Sequence, residues 1–205
     1  MANALPISIH GDGVPVLEVG GHQTRGLDCI YWQSLMATEG GARDLKHYVF
    51  GLFEDSKAKA DIDGVDTMDE AWKILCWSLR ALFEGRFPIA DHTGRPYTKR
   101  DDPIDFELGG TFLADGKFGV LWGIKGDLEY LYKNLGLRHY GRDAFCECCN
   151  STIAVRAPPG MHSYNFSDGA LWRTTIHNNS SWRAARPFEA MHRLFREFHF
   201  IRLQP

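Results

Sequence analysis

Two acids and a cysteine cluster are the residues of this chain whose types and spacing could do chemistry. Asp12 ends the stretch Leu5-Pro6-Ile7-Ser8-Ile9-His10-Gly11-Asp12, in which apolar and polar residues alternate, and Asp127 follows the apolar run Phe118 to Ile124 through Lys125-Gly126. Acids at the ends of two neighbouring strands offer hard oxygen ligands to Mg²⁺ or Mn²⁺, the ions that neutralise phosphate and activate water or a hydroxyl in phosphodiester chemistry. Each acid also has a plainer use. Asp12 lies in Gly-Asp-Gly, a turn sequence, and Asp127 stands where a helix N-cap would stand. His10 shares the face of Asp12 under two-residue alternation and could hydrogen-bond there.

Cys146-Glu147-Cys148-Cys149 contains a Cys-x₂-Cys spacing between Cys146 and Cys149, half of a tetrahedral thiolate site for zinc. His139, Cys148, His162 and His177 are further donors at spacings that identify none of them. Reduced, unliganded thiols are the equal alternative, and a redox role is disfavoured because the pair opens no helix and no thioredoxin-like unit surrounds it. Five cysteines without a signal-peptide pattern do not read as a disulfide framework. Cys29 and Cys76 lie in apolar stretches and read as small core residues.

The elements that must position these groups follow from periodicity. Residues 5–12 read as a strand, Val14-Pro15-Val16-Leu17 and Leu27 to Trp32 as a second strand reached by a hairpin past Gly20-Gly21, and His47 to Phe53 as a third. Thr67-Met68-Asp69-Glu70 reads as a capping box opening a helix, with Ala71, Trp72, Leu75, Leu79, Leu82 and Phe83 on one face until Gly85. Residues 86–110, rich in Pro, Gly and charge, read as a surface excursion. Phe118 to Ile124 is a fourth strand, and Leu128, Leu131, Tyr132 and Leu135 form a short helix stopped by Gly136. Ile153-Ala154-Val155 is a further strand candidate, and Phe188, Met191, Leu194, Phe195 and Phe198 have helical spacing.

Strand, strand, strand, helix, strand, helix is the order of a ribonuclease-H-like α/β fold, a mixed sheet flanked by helices. The expected organisation is a core over residues 1–150 and an Arg-rich segment over 151–205. The 205 residues suit one well-buried domain, and 44% hydrophobic with 24% charged content suits an ordinary folded protein. No apolar run approaches the ~18 residues of a membrane span, which points to an intracellular protein. The overall charge of −3 hides a division: residues 151–205 carry seven Arg against three acids, a net of +4, and residues 1–150 carry −7. Arg173, Arg183 and Arg186 stand beside Trp172 and Trp182, a pattern that suits either bases and phosphates or a solvated face over core tryptophans.

Three segments together carry a resemblance: Ile9-His10-Gly11-Asp12-Gly13-Val14-Pro15, Trp122-Gly123-Ile124-Lys125-Gly126-Asp127-Leu128-Glu129-Tyr130-Leu131, and Leu135-Gly136-Leu137-Arg138-His139-Tyr140 leading to Cys146-Glu147-Cys148-Cys149-Asn150-Ser151. Over most of residues 5–196 the chain resembles the catalytic core of eukaryotic cut-and-paste transposases of the DD(E/D) type. The resemblance implies a ribonuclease-H-like core using Mg²⁺ or Mn²⁺, a nuclear location, transposon-end DNA as partner and oligomeric assembly as an option. It assigns the first two acids to Asp12 and Asp127, the cysteine pair to Cys146 and Cys149, and a His-x-Leu-Phe element to His192-Arg193-Leu194-Phe195. The third acid of such a core lies on a helix beyond that element; Asp168, Glu189 and Glu197 match no such position. The expectation is a truncated copy, incomplete at its C-terminus and inactive alone. The alternative is a non-catalytic zinc-stabilised module that binds nucleic acid or protein.

Overall fold

The computed structural model describes residues 3–17, 24–37, 45–59, 62, 64–139, 141–144, 146–185 and 192–197. Two compact units divide the chain, Met1–Lys125 and Gly126–Pro205.

The first unit is an α/β arrangement around a four-stranded mixed sheet. Its strands are β1 (Ala4–Leu17), β2 (Thr24–Ser34), β3 (His47–Phe53) and β4 (Phe118–Lys125), in the order β3-β2-β1-β4. β1 and β2 pair antiparallel, as do β2 and β3, whereas β1 and β4 run parallel. The first and fourth strands are therefore neighbours, as expected from the element order.

β1 differs from its expected form. The alternating stretch does not stop at Asp12: β1 and Val14–Leu17 are one strand, in register with β2 from Ile7 opposite Ser34 to Leu17 opposite Thr24. Pro15 is tolerated because its missing N–H falls where β1 has only β2 beside it, the pairing with β4 having ended at His10. Asp12 thus lies just past the end of the parallel pairing and not at the end of a strand.

Helix α1 (Thr67–Glu84) covers one face of the sheet. Its cap is Asp66, whose carboxylate accepts the Asp69 N–H at 2.9 Å; Thr67, expected in that role, instead accepts the Ala58 N–H at 2.9 Å. Trp72, Leu75, Cys76 and Leu79 are buried, with Ile7, Ile9, Ile30 and Leu121 of the sheet. α1 ends at Gly85, whose left-handed φ of 66° bonds its N–H to the carbonyls of Ala81 and Leu82. A Cβ at Gly85 would also stand 2.9 Å from the Lys117 carbonyl oxygen, so packing and conformation both require glycine.

The excursion after α1 is built rather than loose. Asp91 accepts bonds from Thr93 N–H and Oγ1 and from the Arg95 backbone and guanidinium, and Arg95 reaches on to Asp102 at 3.0 Å. The Thr93 hydroxyl, followed by the backbone donors and Arg95, holds the Asp91 carboxyl well below the usual carboxylate range. Helix α2 (Pro103–Leu108) follows, and the Trp77 indole N–H donates to the Ala90 carbonyl at 3.1 Å, anchoring the excursion to α1. Between α1 and the β2–β3 half of the sheet an apolar groove of about 770 Å³ is lined by Trp32, Phe50, Leu52, Ile74 and Leu79 among others.

The second unit contains α3 (Leu128–Leu135), a cysteine-bearing segment, a 3₁₀ turn (Leu171–Thr175), α4 (Asn179–Ala184) and α5 (Arg193–Glu197). Asn178 and Ser181 form a capping box at α4. Trp182 and Phe195 pack edge to face at 5.2 Å. Ile153–Val155 is not a strand: only Thr152 bridges to His162, and Ile153 and Val155 are 48% and 95% exposed. Three adjacent apolar residues lacked the alternation that would give a strand one buried face. Of the expected C-terminal helical stretch, Phe195 lies in α5 and is buried, whereas Phe188, Met191 and Phe198 lie outside the described residues. Among the described residues no helix is long and apolar enough to cross a membrane.

Candidate functional site

Parallel and antiparallel registers decide which side chains share a face with Asp12. Ile7 and Ile9 point toward α1, so Ser8, His10 and Asp12 take the opposite face. Tyr31 stands opposite His10 and Cys29 opposite Asp12 on β2, Tyr48 stands opposite Tyr31 on β3, and Lys125 stands opposite His10 on β4. The His10 and Tyr31 rings are 6.5 Å apart and those of Tyr31 and Tyr48 5.7 Å. Gly51 makes room for the Tyr48 hydroxyl, which would lie 2.7 Å from a Cβ there.

This face is electrostatically mixed. Burial lowers the His10 pKa, Lys46 and Lys125 lower it further, and Asp12 acts against them. The Tyr31 pKa is raised, first by its hydrogen bond with Cys29 and then by burial, with Tyr48 and Asp12 adding. Ser8 is fully buried, and its hydroxyl has no hydrogen-bond partner among the described residues. Chemically the face offers one carboxylate, one imidazole held toward its neutral form, two phenols and two ammonium groups.

Lys125 reaches this face through an irregularity. β4 slips by one residue between the Ile7 and Ser8 pairings, which skips Trp122 and leaves it 57% exposed. After the bulge Ile124 pairs with Ile9 and Lys125 with His10. Lys46, Tyr31 and Tyr48 were not singled out by sequence. The Tyr31 position was signalled: the turn expected from the sequence at Gly20-Gly21, which lies outside the described residues, implies paired numbers summing to 41, as in His10 with Tyr31 and Asp12 with Cys29.

Asp127 takes the role of an N-cap, its Oδ1 accepting the Tyr130 N–H at 2.6 Å, and Leu128 begins α3 as expected. One carboxylate oxygen is thereby engaged in the helix. Among the described residues no group of three or more His, Cys, Asp or Glu side chains is arranged to hold a metal ion. The described residues therefore do not complete a Mg²⁺ or Mn²⁺ cage.

The cysteine segment is tied down by its neighbours. Cys146 and Cys149 Sγ atoms are 3.3 Å apart, and Ser151 Oγ lies 3.3 Å from Cys149 Sγ. Glu147 accepts from the Arg138 N–H and from the Trp182 indole N–H, the latter at 3.3 Å. The Cys148 carbonyl accepts the His177 N–H at 2.8 Å, and the Asn150 N–H donates to Thr175 Oγ1 at 3.0 Å. Burial alone would push the Cys146 thiol up; hydrogen bonds from Cys149, from the Cys148 and Cys149 amides and from Ser151 bring it below its ordinary value. Burial, followed by the neighbouring thiols, raises Cys148.

His139 does not join this pair as a third ligand among the described residues. Its Nδ1 accepts the Gly141 N–H at 2.9 Å and its ring packs edge to face on Tyr132. Two thiols are half of a zinc site, and the described residues do not supply the other half. Arg173 donates to the Phe166 carbonyl and lies over the Trp172 ring, and Arg183 donates to the Phe195 carbonyl at 2.6 Å. Arg186 lies outside the described residues. In comparisons with family models, curated proteins and solved structures, none matches this chain.

Proposed function

We propose that the chain is a piece of the catalytic core of a metal-dependent DNA transposase, ribonuclease-H-like in fold, that does not turn over alone. The single observation that carries this reading is the sheet order β3-β2-β1-β4 with β1 and β4 parallel. That order and those directions are the ones a ribonuclease-H-like core uses to bring its first two acids to adjoining strands. Asp12 and Asp127 are then the carboxylates that would ligate Mg²⁺ or Mn²⁺, which would supply charge neutralisation and an activated hydroxyl at a phosphodiester of transposon-end DNA. Lys125 and Lys46 give the His10 face positive charge suited to the same anion.

Inactivity alone follows from ligand count. Mg²⁺ tolerates an incomplete octahedron poorly, and among the described residues no three His, Cys, Asp or Glu side chains gather to hold an ion. The rival reading, a zinc-stabilised module, needs two ligands besides Cys146 and Cys149 that the described residues also do not supply. It explains nothing about the sheet order, so the transposase reading is preferred.

The test is Mn²⁺ binding followed by electron paramagnetic resonance, with Asp12→Asn and Asp127→Ser beside the unaltered chain. Serine keeps an N-cap at position 127, so its effect on binding is separable from a loss of fold. Weak Mn²⁺ binding that both substitutions abolish supports the reading. Binding indifferent to both, or strand cleavage at full rate by this chain alone, overturns it.

A further inference from the structure

The cysteine segment has a use that metal binding does not account for. We propose that Cys146 and Cys149 are a peroxide-sensitive modification site that closes into a reversible disulfide. The inference is independent of the transposase reading, since it uses no residue of the sheet.

Geometry carries it. The two sulfurs stand 3.3 Å apart across a three-residue spacing, and a modest side-chain rotation brings them to the ~2.05 Å of a bond. Exposure assigns the roles: Cys146 is half-buried and open to a small oxidant, while Cys149 is 4% exposed and reaches solvent only through its partner. The Ser151 hydroxyl lies 3.3 Å from the Cys149 sulfur, so the pair has a polar neighbour at its buried end. The backbone around the pair is held from outside by the His177 N–H on the Cys148 carbonyl and by Thr175 on the Asn150 N–H. Cys29 and Cys76 are buried at 3% and 0% exposure and offer the oxidant no access.

The chemistry balances with a hydroperoxide as oxidant. Cys146 sulfur attacks the outer peroxide oxygen, the O–O bond breaks, and the departing alkoxide or hydroxide takes up the thiol proton. The product is a Cys146 sulfenic acid and one alcohol or water. Cys149 sulfur then attacks the sulfenic sulfur, the S–O bond breaks, and hydroxide leaves with the Cys149 proton as water. Two thiols lose two electrons and two protons; the peroxide gains them.

Cys148 is the competing resolving group, because it is half-buried like Cys146 and stands two residues from it. A disulfide across one intervening residue closes a smaller ring than one across two. The spacing therefore favours Cys149.

The experiment treats the whole chain, dialysed against EDTA, with stoichiometric hydrogen peroxide, then alkylates it in denaturant with a maleimide and counts labels by intact mass. The expected count falls from five, the cysteines of the chain, to three, and dithiothreitol restores it. Cys148→Ser should still lose two labels on oxidation, whereas Cys149→Ser should lose none to an intramolecular bond. Cys149→Ala serves as a second variant should serine disturb the buried site, with far-ultraviolet circular dichroism confirming the fold of each. Loss of the disulfide in Cys148→Ser, an unchanged count after peroxide, or a Cys146 sulfinic acid as the product each overturns the proposal.

Discussion

The segment around Asp12 and the segment around Cys146 place reactive side chains by opposite means. On β1 the positions of Ser8, His10 and Asp12 are set by a ladder shared with two strands, so each side chain's neighbours follow from one register. Cys146 to Ser151 has no ladder; it is held by single bonds to Arg138, Thr175, His177 and Trp182. A register distributes its cost over many backbone pairs. A tied segment concentrates it in a few side chains, so removing one of them should be felt locally and sharply.

The largest expected effect tests the ladder side. Trp72 is 1% exposed beneath the sheet, and Trp72→Ala should lower stability by about 3–5 kcal/mol in urea titration, with faster hydrogen exchange along β1 and β4. Exchange along those strands unchanged from the parent would show that the sheet does not depend on α1. Next in size is the tied side. Glu147→Ala removes the acceptor of the Arg138 and Trp182 N–H groups and should cost about 1–3 kcal/mol, read as earlier loss of the Trp182 near-ultraviolet signal on heating. A shift under 2 °C would mean the ties are dispensable.

A smaller effect separates two roles of one acid. Asp127→Ala should cost about 1 kcal/mol by uncapping α3, while Asp127→Ser should recover most of it. Equal stability of all three chains would remove the cap from the account of this acid.

The smallest expected effect is the pH dependence of His10. Its folded pKa lies below the ordinary 6.5 through burial and the two lysines, so the unfolded chain takes up the proton first as pH falls. The stability linked to this group is full above about pH 6.5 and declines as pH falls from there toward the folded value. His10→Gln should flatten that part of the stability profile; a profile that keeps its slope assigns the titration elsewhere.

The same contrast explains what the sequence disclosed. The presence of four strands and the adjacency of the first and fourth were legible because alternation and the strand–helix order leave few topologies. The N-cap at Asp127 was legible from one residue before an amphipathic run. What escaped was anything decided by a non-local neighbour: β1 continues through Gly13 and Pro15 because β2 accompanies it, and Ile153–Val155 fails as a strand because nothing pairs with it beyond Thr152 among the described residues. Cys-x₂-Cys was visible as a spacing, but a spacing does not say that two sulfurs lie in contact.

The bulge at Trp122 works as a phase shifter. Upstream of it Leu121 lies on the α1 face with Ile7; downstream Ile124 takes that face with Ile9, leaving Lys125 on the side of His10. Were Trp122 simply deleted, the residues that follow would keep this phase without any bulge; were the strand instead forced to pair regularly, Lys125 would turn toward Leu75 and Leu79 and an isoleucine would stand beside His10. A single inserted residue thus determines whether this face presents an ammonium ion or a hydrocarbon. The ionic character of this face therefore depends on whether β4 keeps its bulge, without any exchange of amino acid at Lys125 itself.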